Sequence, residues 1–329
     1  MNKKTISEKH SMSLAVDGRI ESVRSAKDII TEVVAQIEAA SKNTGAFSGV
    51  PSGFKDIDRI TSGWQPSNLI IIAARPSMGK TAFVLSMVCN MAFDLGVPVA
   101  FFSLEMSSAQ LMMRLLVADT GLNSTDIKSG RLTPEQWRCI NETISYIEYA
   151  PLYIDDTPAL SVSEFCSRAR LLKEKYGVKV FVIDYLQLMT GNQSSNGNRE
   201  QEIDCISRTL KAVARELDVS VIVLSQLNRS VEMRGGSRRP QLSDLCGSGS
   251  IEQNADTVIL IHRPEYYGIN TDENGMPTAG MAEIILAKHR NGAVTDVKLR
   301  FLKDQARFVD MDAEVSGGFA GCFDGPQLY

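Results

Sequence analysis

Residues 68–81 read NLIIIAARPSMGKT. Leu69 to Ala73 form an unbroken apolar run of strand length, and the eight residues Ala74, Arg75, Pro76, Ser77, Met78, Gly79, Lys80 and Thr81 follow it. A buried strand that empties into a loop ending Gly-Lys-Thr has the order of a phosphate-binding loop. Gly79 lets the backbone approach oxygen closely, Lys80 brings a positive charge to the β and γ phosphates, and the Thr81 hydroxyl suits Mg²⁺. Ala82 to Asp94 is rich in helix formers and closes at Gly96, so the loop opens a helix whose N-terminal N–H groups face the anion. The one departure is Ala74, which stands where the usual pattern begins with glycine.

Outward from this stretch, strand and helix signals alternate. Val97 to Leu104 reads as a strand and Ser107 to Thr120 as a helix. Thr133, Pro134 and Gln136 supply a cap, a first-turn proline and a capping-box partner for a helix to about Tyr149, and Ser161 with Glu164 repeats the device for a helix to about Tyr176. Leu152 to Ile154 is a short strand, Val180 to Ile183 an apolar strand ending on Asp184, and Arg199 to Leu217 a long helix. Further strands are expected at Val219 to Leu224, Thr257 to Ile261, Ala282 to Leu286 and Val297 to Phe301. This order predicts an α/β fold, a mainly parallel central sheet with helices on both faces and an antiparallel extension. Before it, residues 1–25 have no sustained periodicity and read as a flexible segment. Ile29, Ile30, Val33, Val34 and Ile37 form one helical stripe, which either packs on its own domain or docks on a neighbouring subunit. Gly49 to Gly63 carries turn signals at both ends.

The 329 residues are enough for one large domain or one domain with an appendage, and 43% apolar and 22% charged residues are ordinary for a globular chain. A net charge of −4 excludes a protein coated in basic residues, so nucleic-acid contact must rest on a local patch. Six scattered cysteines without a C-x-x-C pair, and three histidines, support neither a zinc site nor a disulfide framework. No apolar run is long enough to span a membrane and the N-terminus lacks a signal-like core, so a reducing cytoplasm is the simplest address.

A phosphate loop needs a metal carboxylate, a group that orients water and a sensor of the γ-phosphate. Asp184, at the end of an apolar strand, reads as the metal carboxylate or as an acid capping a turn. Glu105, closing Phe101-Phe102-Ser103-Leu104-Glu105, reads as the water-polarising acid or as a first-turn acid of the next helix. Gln226, after a third strand, reads as a neutral sensor or as a surface amide. From spacing alone, Lys288-His289-Arg290 is a solvated strand end.

Taken together, RPSMGKT (75–81), FFSLEMS (101–107), VFVIDYLQLM (180–189), VIVLSQLNRSVE (221–232), SGSIEQNAD (248–256) and AKHRNG (287–292) resemble the motifs of DnaB-type replicative DNA helicases, in the right order over about residues 25 to 312. The resemblance implies a RecA-like P-loop motor that forms a six-membered ring, hydrolyses ATP with Mg²⁺ at subunit interfaces and moves 5′ to 3′ on single-stranded DNA. It implies nucleotide and metal binding by Lys80, Thr81 and Asp184, catalysis by Glu105, coupling by Gln226, and a trans-acting pair, Lys288 and Arg290, that reaches the phosphates of the next subunit. The domain plan it implies is a linker helix at 26–45, the motor at 46–312 and a tail at 313–329. The family's N-terminal collar domain is lacking from this plan, so the primase contact the collar makes is not expected of these residues.

Single-stranded DNA is expected along Asn228 to Ser250, a Gly- and Ser-rich basic loop with Arg229, Arg234, Arg238 and Arg239 but no aromatics for base stacking. The same loop includes Cys246, Gly247 and Gly249. The family usually carries an Arg-Glu pair where this chain has Cys246 and Gly247, a change that removes a phosphate-binding charge. Two other readings stay open at this stage: a RecA-like DNA-binding ATPase that does not unwind, and a relative that modulates a full-length helicase ring. A helicase loader is a further possible partner, and nothing calls for a membrane.

Overall fold

The computed structural model describes residues 47–191, 199–245, 248–272 and 274–313, together with positions between 25 and 38. The N-terminal segment before Ser25, the middle of the loop at 192–198, Cys246 and Gly247, and the tail after Ala313 lie outside the described residues. Contacts divide the chain between Ser48 and Gly49. In the N-terminal unit the described positions from Ala26 to Val34 are helical, and Ile29, Ile30, Val33 and Val34 are exposed.

The larger unit is organised on β1 (Leu69–Ala74), buried along its whole length. Its side chains alternate between two cores. Ile70, Ile72 and Ala74 pack with Phe83, Val84, Leu85, Met87 and Val88 of α2 (Lys80–Val88), whereas Leu69, Ile71 and Ala73 pack with residues of α6 (Val162–Tyr176) and α7 (Arg199–Leu217). A strand covered on both faces must be apolar at every position, which is why the run does not alternate.

Nine strands make one sheet in the order β3-β2-β4-β5-β1-β6-β7-β8-β9. β2 (Val99–Ser103), β3 (Leu152–Asp155), β4 (Val180–Asp184), β5 (Ser220–Gln226), β1 and β6 (Thr257–His262) run parallel. β7 (Met281–His289), β8 (Thr295–Leu302) and β9 (Arg307–Asp310) add the antiparallel extension. The expected α/β architecture is therefore present.

The caps read from sequence close as hydrogen bonds. Complete capping boxes start α5 (Pro134–Ile147) at Thr133 and Gln136 and α6 at Ser161 and Glu164, and a third starts α3 (Ser108–Thr120) at Ser107 and Gln110. Such caps contribute about 1 kcal/mol each.

Several elements differ from the sequence expectation. The Gly49–Gly63 stretch holds a helix, α1 (Lys55–Thr61), because Ile57 is fully buried and the Asp58 carboxylate accepts the Ser52 and Gly53 N–H groups at 2.6 and 3.0 Å. α8 (Ser230–Met233) is a short helix within the segment read as loop, α9 (Ser248–Asn254) begins at the end of that segment, and α4 (Ser124–Ser129) is a short helix in a stretch to which no element was assigned. α2 ends at Val88 and continues as a π-helical turn over Cys89–Asp94. Cys89, Cys166 and Cys205 are free thiols. Among the described residues no helix is long and apolar enough to cross a membrane.

Candidate nucleotide site

β1, β4 and β5 end at one edge of the sheet, where a cleft of about 540 Å³ opens. Ala74, Arg75, Pro76, Ser77, Gly79, Lys80 and Thr81 line it, with Glu105, Tyr185 and Gln226. Ligands of open α/β sheets bind outside such carboxyl ends. Gly79 precedes α2 with φ +92°, a conformation that an L side chain resists. α2 has no side-chain cap and no acid in its first turn. Its first N–H groups are thus open to an anion, which the helix dipole favours.

Met78, the one loop residue absent from the cleft lining, is buried in the core against which α2 packs. Arg75 is also almost fully buried. Its Nη1 donates to the Leu227 carbonyl at 2.7 Å, its Nε to Glu232 Oε1 at 3.0 Å, and its Nη2 lies 2.9 Å from the same oxygen. Arg75 therefore ties the start of the loop to the segment after β5, a role its place in the motif did not suggest.

The Lys80 Nζ stands 3.9 Å from Asp184 Oδ1 and 4.7 Å above the Tyr185 ring centroid. Burial pulls the Lys80 pKa down, against the opposing charges of Asp184 and Glu105. Burial likewise pushes the Asp184 carboxyl up, against Lys80 and the Thr81 hydroxyl. A nucleotide's phosphates would restore the favourable field around Lys80.

Thr81 Oγ1 donates to Asp184 Oδ2 at 3.0 Å, while Asp184 Oδ1 is buried without a hydrogen-bond partner. A threonine hydroxyl beside an orphaned carboxylate oxygen is what a Mg²⁺ held mainly by phosphates and water requires. The residues present fit that ion. Among the described residues no cluster of three His, Cys, Asp or Glu side chains could hold a metal alone.

Glu105 is two residues beyond the end of β2, on a turn closed by Ser103 Oγ, which donates to the Met106 carbonyl at 2.7 Å and accepts the Met106 N–H. The Leu104 N–H donates to the Asp184 carbonyl at 2.7 Å and extends the β2–β4 pairing, so Glu105 emerges beside Asp184. Gln226, the last residue of β5, lies in register with Ala74.

Lys288 and Arg290 are not in this cleft. Ala74 pairs with Ile261 and Lys288 with Val258, three residues lower on β6, or about 10 Å towards the opposite sheet edge. Within one chain the sheet separates the pair from the phosphate loop.

The expected DNA-contacting loop is more ordered than its composition suggests. Arg234 pairs with both oxygens of Asp244, at 2.7 and 3.2 Å, and Arg239 bridges Glu283 and Asp296. Arg229 is exposed at the start of α8, and the exposed Arg238 lies 5.2 Å over the Tyr267 ring. Gly249 is exposed on α9, and Cys246 and Gly247 lie outside the described residues. Two of the four arginines thus hold the loop together and two face solvent. Sequence reading also missed Tyr185, although its place next to Asp184 was a usable signal, and Arg114 and Lys128, which line the cleft from α3 and α4.

A phosphate loop of this geometry, at the carboxyl edge of this sheet, defines a RecA-like P-loop nucleotide-binding domain. Residues 49–310 match the DnaB-like helicase C-terminal domain family, and the chain belongs to that family. It is 46% identical over 286 residues to the replicative DNA helicase DnaB of Geobacillus stearothermophilus, covering 87% of this chain and 62% of that protein. It is 43% identical over 305 residues to the replicative DNA helicase DnaC of Bacillus subtilis (strain 168), covering 93% and 66%. The chain thus spans just under two thirds of the length of these relatives. Among solved structures, one of an isolated ATPase domain aligns at a TM-score of 0.81 and 39% identity, covering 88% of this chain and all of that domain. A DnaB-like replicative helicase, described with its interactions with primase, aligns at 0.77 and 40%, covering 88% of this chain and 67% of that one.

Proposed function

We propose that this chain is the ATP-driven motor of a replicative DNA helicase, acting as a six-membered ring that moves 5′ to 3′ on single-stranded DNA. The observation that carries the reading is the division of one reaction centre. Lys80, Thr81, Asp184, Glu105 and Gln226 gather at one sheet edge, while Lys288 and Arg290 lie towards the other, which on this reading lets them meet phosphates of a neighbouring copy.

ATP is the substrate. The N–H groups of the loop and of α2 hold its phosphates, and Lys80 neutralises the β and γ oxygens. Thr81 and Asp184 would hold Mg²⁺, which supplies Lewis-acid stabilisation of phosphate charge. Glu105 orients the attacking water and accepts its proton. Arg290 of the next subunit meets the charge that spreads over the γ-phosphate oxygens, for which its planar fork is suited, with Lys288 beside it. Gln226 senses the γ-phosphate, and its strand runs directly into the segment of Arg229 and Arg238, so loss of phosphate and grip on DNA share one backbone. The exposed stripe of Ile29, Ile30, Val33 and Val34 serves as the docking face between subunits.

Lys80→Ala should abolish DNA-stimulated ATP hydrolysis, and wild-type turnover in that variant would refute the assignment. A forked duplex then distinguishes a motor, which separates the strands, from a protein that hydrolyses ATP while merely coating one strand.

A further inference from the structure

Lys288 and Arg290 stand where the β6–β7 ladder slips by a residue. Val258 pairs with Lys288 and Ile259 with Leu286, which leaves Ala287 as the extra residue of a β-bulge. Along β7 the side chains of Ala282, Ile284 and Leu286 enter one core, and Ile285 and Ala287 pack on the other. Unbroken alternation would send Lys288 to the face of Leu286. Its Nζ instead donates to the Glu252 carbonyl of α9, and α9 packs through Ile251 into the core of Ile285. The bulge turns the pair towards α9.

A seat is built there around Asp256. The Arg290 backbone N–H donates to the Asp256 carbonyl at 2.9 Å, Arg290 Nη1 donates to Asp256 Oδ1 at 3.3 Å, and Nη2 donates to the Gln253 carbonyl. Asp256 is itself fixed: its Oδ2 accepts the Leu69 N–H at 2.8 Å and Lys211 Nζ at 2.5 Å, and Lys211 also donates to the Ser67 carbonyl at 2.8 Å. The carboxylate side chain is 8% exposed while that of Arg290 is 46% exposed. Both basic side chains also meet carbonyls at the C-terminal end of α9, where the helix leaves partial negative charge. An otherwise free surface arginine is thereby held by the strand that carries the phosphate loop.

We propose that Asp256 is the positioning residue of the trans pair: anchored to β1 and α7, it holds Arg290 in the narrow set of rotamers from which the guanidinium reaches the neighbouring site. This rests on the reading of Arg290 as a trans-acting group. Asp256 touches no phosphate, so its loss acts through Arg290 and belongs to the subunit that donates the finger.

The test is DNA-stimulated ATP hydrolysis in mixed rings. Asp256→Asn alone should lower turnover about tenfold, the scale expected when a charge-assisted hydrogen bond that orients a catalytic group is lost, with the KM for ATP unchanged. Mixed with Lys80→Ala protein, Asp256→Asn should regain activity, because its intact phosphate loop meets an intact finger. Mixed with Arg290→Ala it should not, since both lack the same half. A merely structural defect gives no such pattern. The reference mixture is Lys80→Ala with Arg290→Ala: no recovery there, in rings shown to be mixed, refutes the trans reading itself. Recovery in the reference, with Asp256→Asn rescued by both partners or by neither, overturns the positioning role alone. Should Asp256→Asn not fold, Asp256→Glu keeps the charge, moves the anchor by one methylene and is expected to give the same pattern.

Discussion

Gly79→Ala tests whether the phosphate loop is shaped by packing as well as by its ligand. A β-carbon at Gly79 would lie 3.0 and 3.1 Å from two ring carbons of Phe308 and 3.4 Å from Phe301, at a backbone φ of +92°. The left-handed backbone costs an alanine about 1–2 kcal/mol. Displacing Phe308 costs about 1–3 kcal/mol more, because that ring is clamped between Phe83 and Phe301 at centroid distances of 5.4 and 4.9 Å. The sum, about 2–5 kcal/mol, is a large share of a domain's stability. It should appear as a lower urea midpoint together with weakened binding of a fluorescent ATP analogue. The two contributions separate in a double-mutant cycle. With Phe308→Ala the clash is gone and only the backbone cost persists, so the pair should couple by about 1–3 kcal/mol. Additive effects, or a Gly79→Ala protein that matches wild type in stability and nucleotide affinity, would refute the reasoning.

Burial and, secondarily, the charge of Arg239 lower the pKa of His262 to about 4. The unfolded chain therefore binds the extra proton between pH 4 and 6.5, so stability is lost as pH falls through that window, by about 2 kcal/mol from pH 7 to 5. His262→Gln should flatten this part of the urea-midpoint profile, and an unchanged profile would count against it. Arg229→Ala and Arg238→Ala should each weaken single-stranded DNA binding and reduce its salt slope by about one counterion, without a change in urea midpoint. Arg234→Ala should instead cost about 2 kcal/mol of stability by stranding the buried Asp244, and a midpoint equal to wild type would show that the ion pair does not hold the loop.

The central strands were legible because burial on both faces leaves few polar positions: β1 reads as a solid apolar run, and β4 and β5 carry the uninterrupted runs Val180–Ile183 and Val221–Leu224. The caps at Thr133 and Ser161 were legible because each partner lies three residues away. What was hidden depends on residues distant in sequence. Arg75 reads as part of a phosphate loop until Leu227 and Glu232 fold against it, and Arg234 and Arg239 read as DNA contacts until Asp244, Glu283 and Asp296 arrive. α1 was masked by flanking Gly and Ser, since seven residues give too few turns for a helical stripe to outweigh turn signals. At the site, Lys80, Thr81 and Asp184 come together as the motif implied, whereas nothing in the spacing of Lys288-His289-Arg290 revealed the bulge that aims it.

The polarity of the sheet constrains how copies can associate. On the proposed function, the phosphate loop lies at the carboxyl edge of the parallel strands, and the basic pair that completes it lies towards the amino edge. Donor and acceptor are different patches, so a heterologous, head-to-tail contact brings one subunit's basic pair to the next subunit's phosphate loop. An open row of copies always leaves one phosphate loop without its finger and one finger without a phosphate. Closure removes both defects at once, which makes the catalytic count a readout of topology: breaking the circle at one junction silences that junction's site while every subunit stays folded.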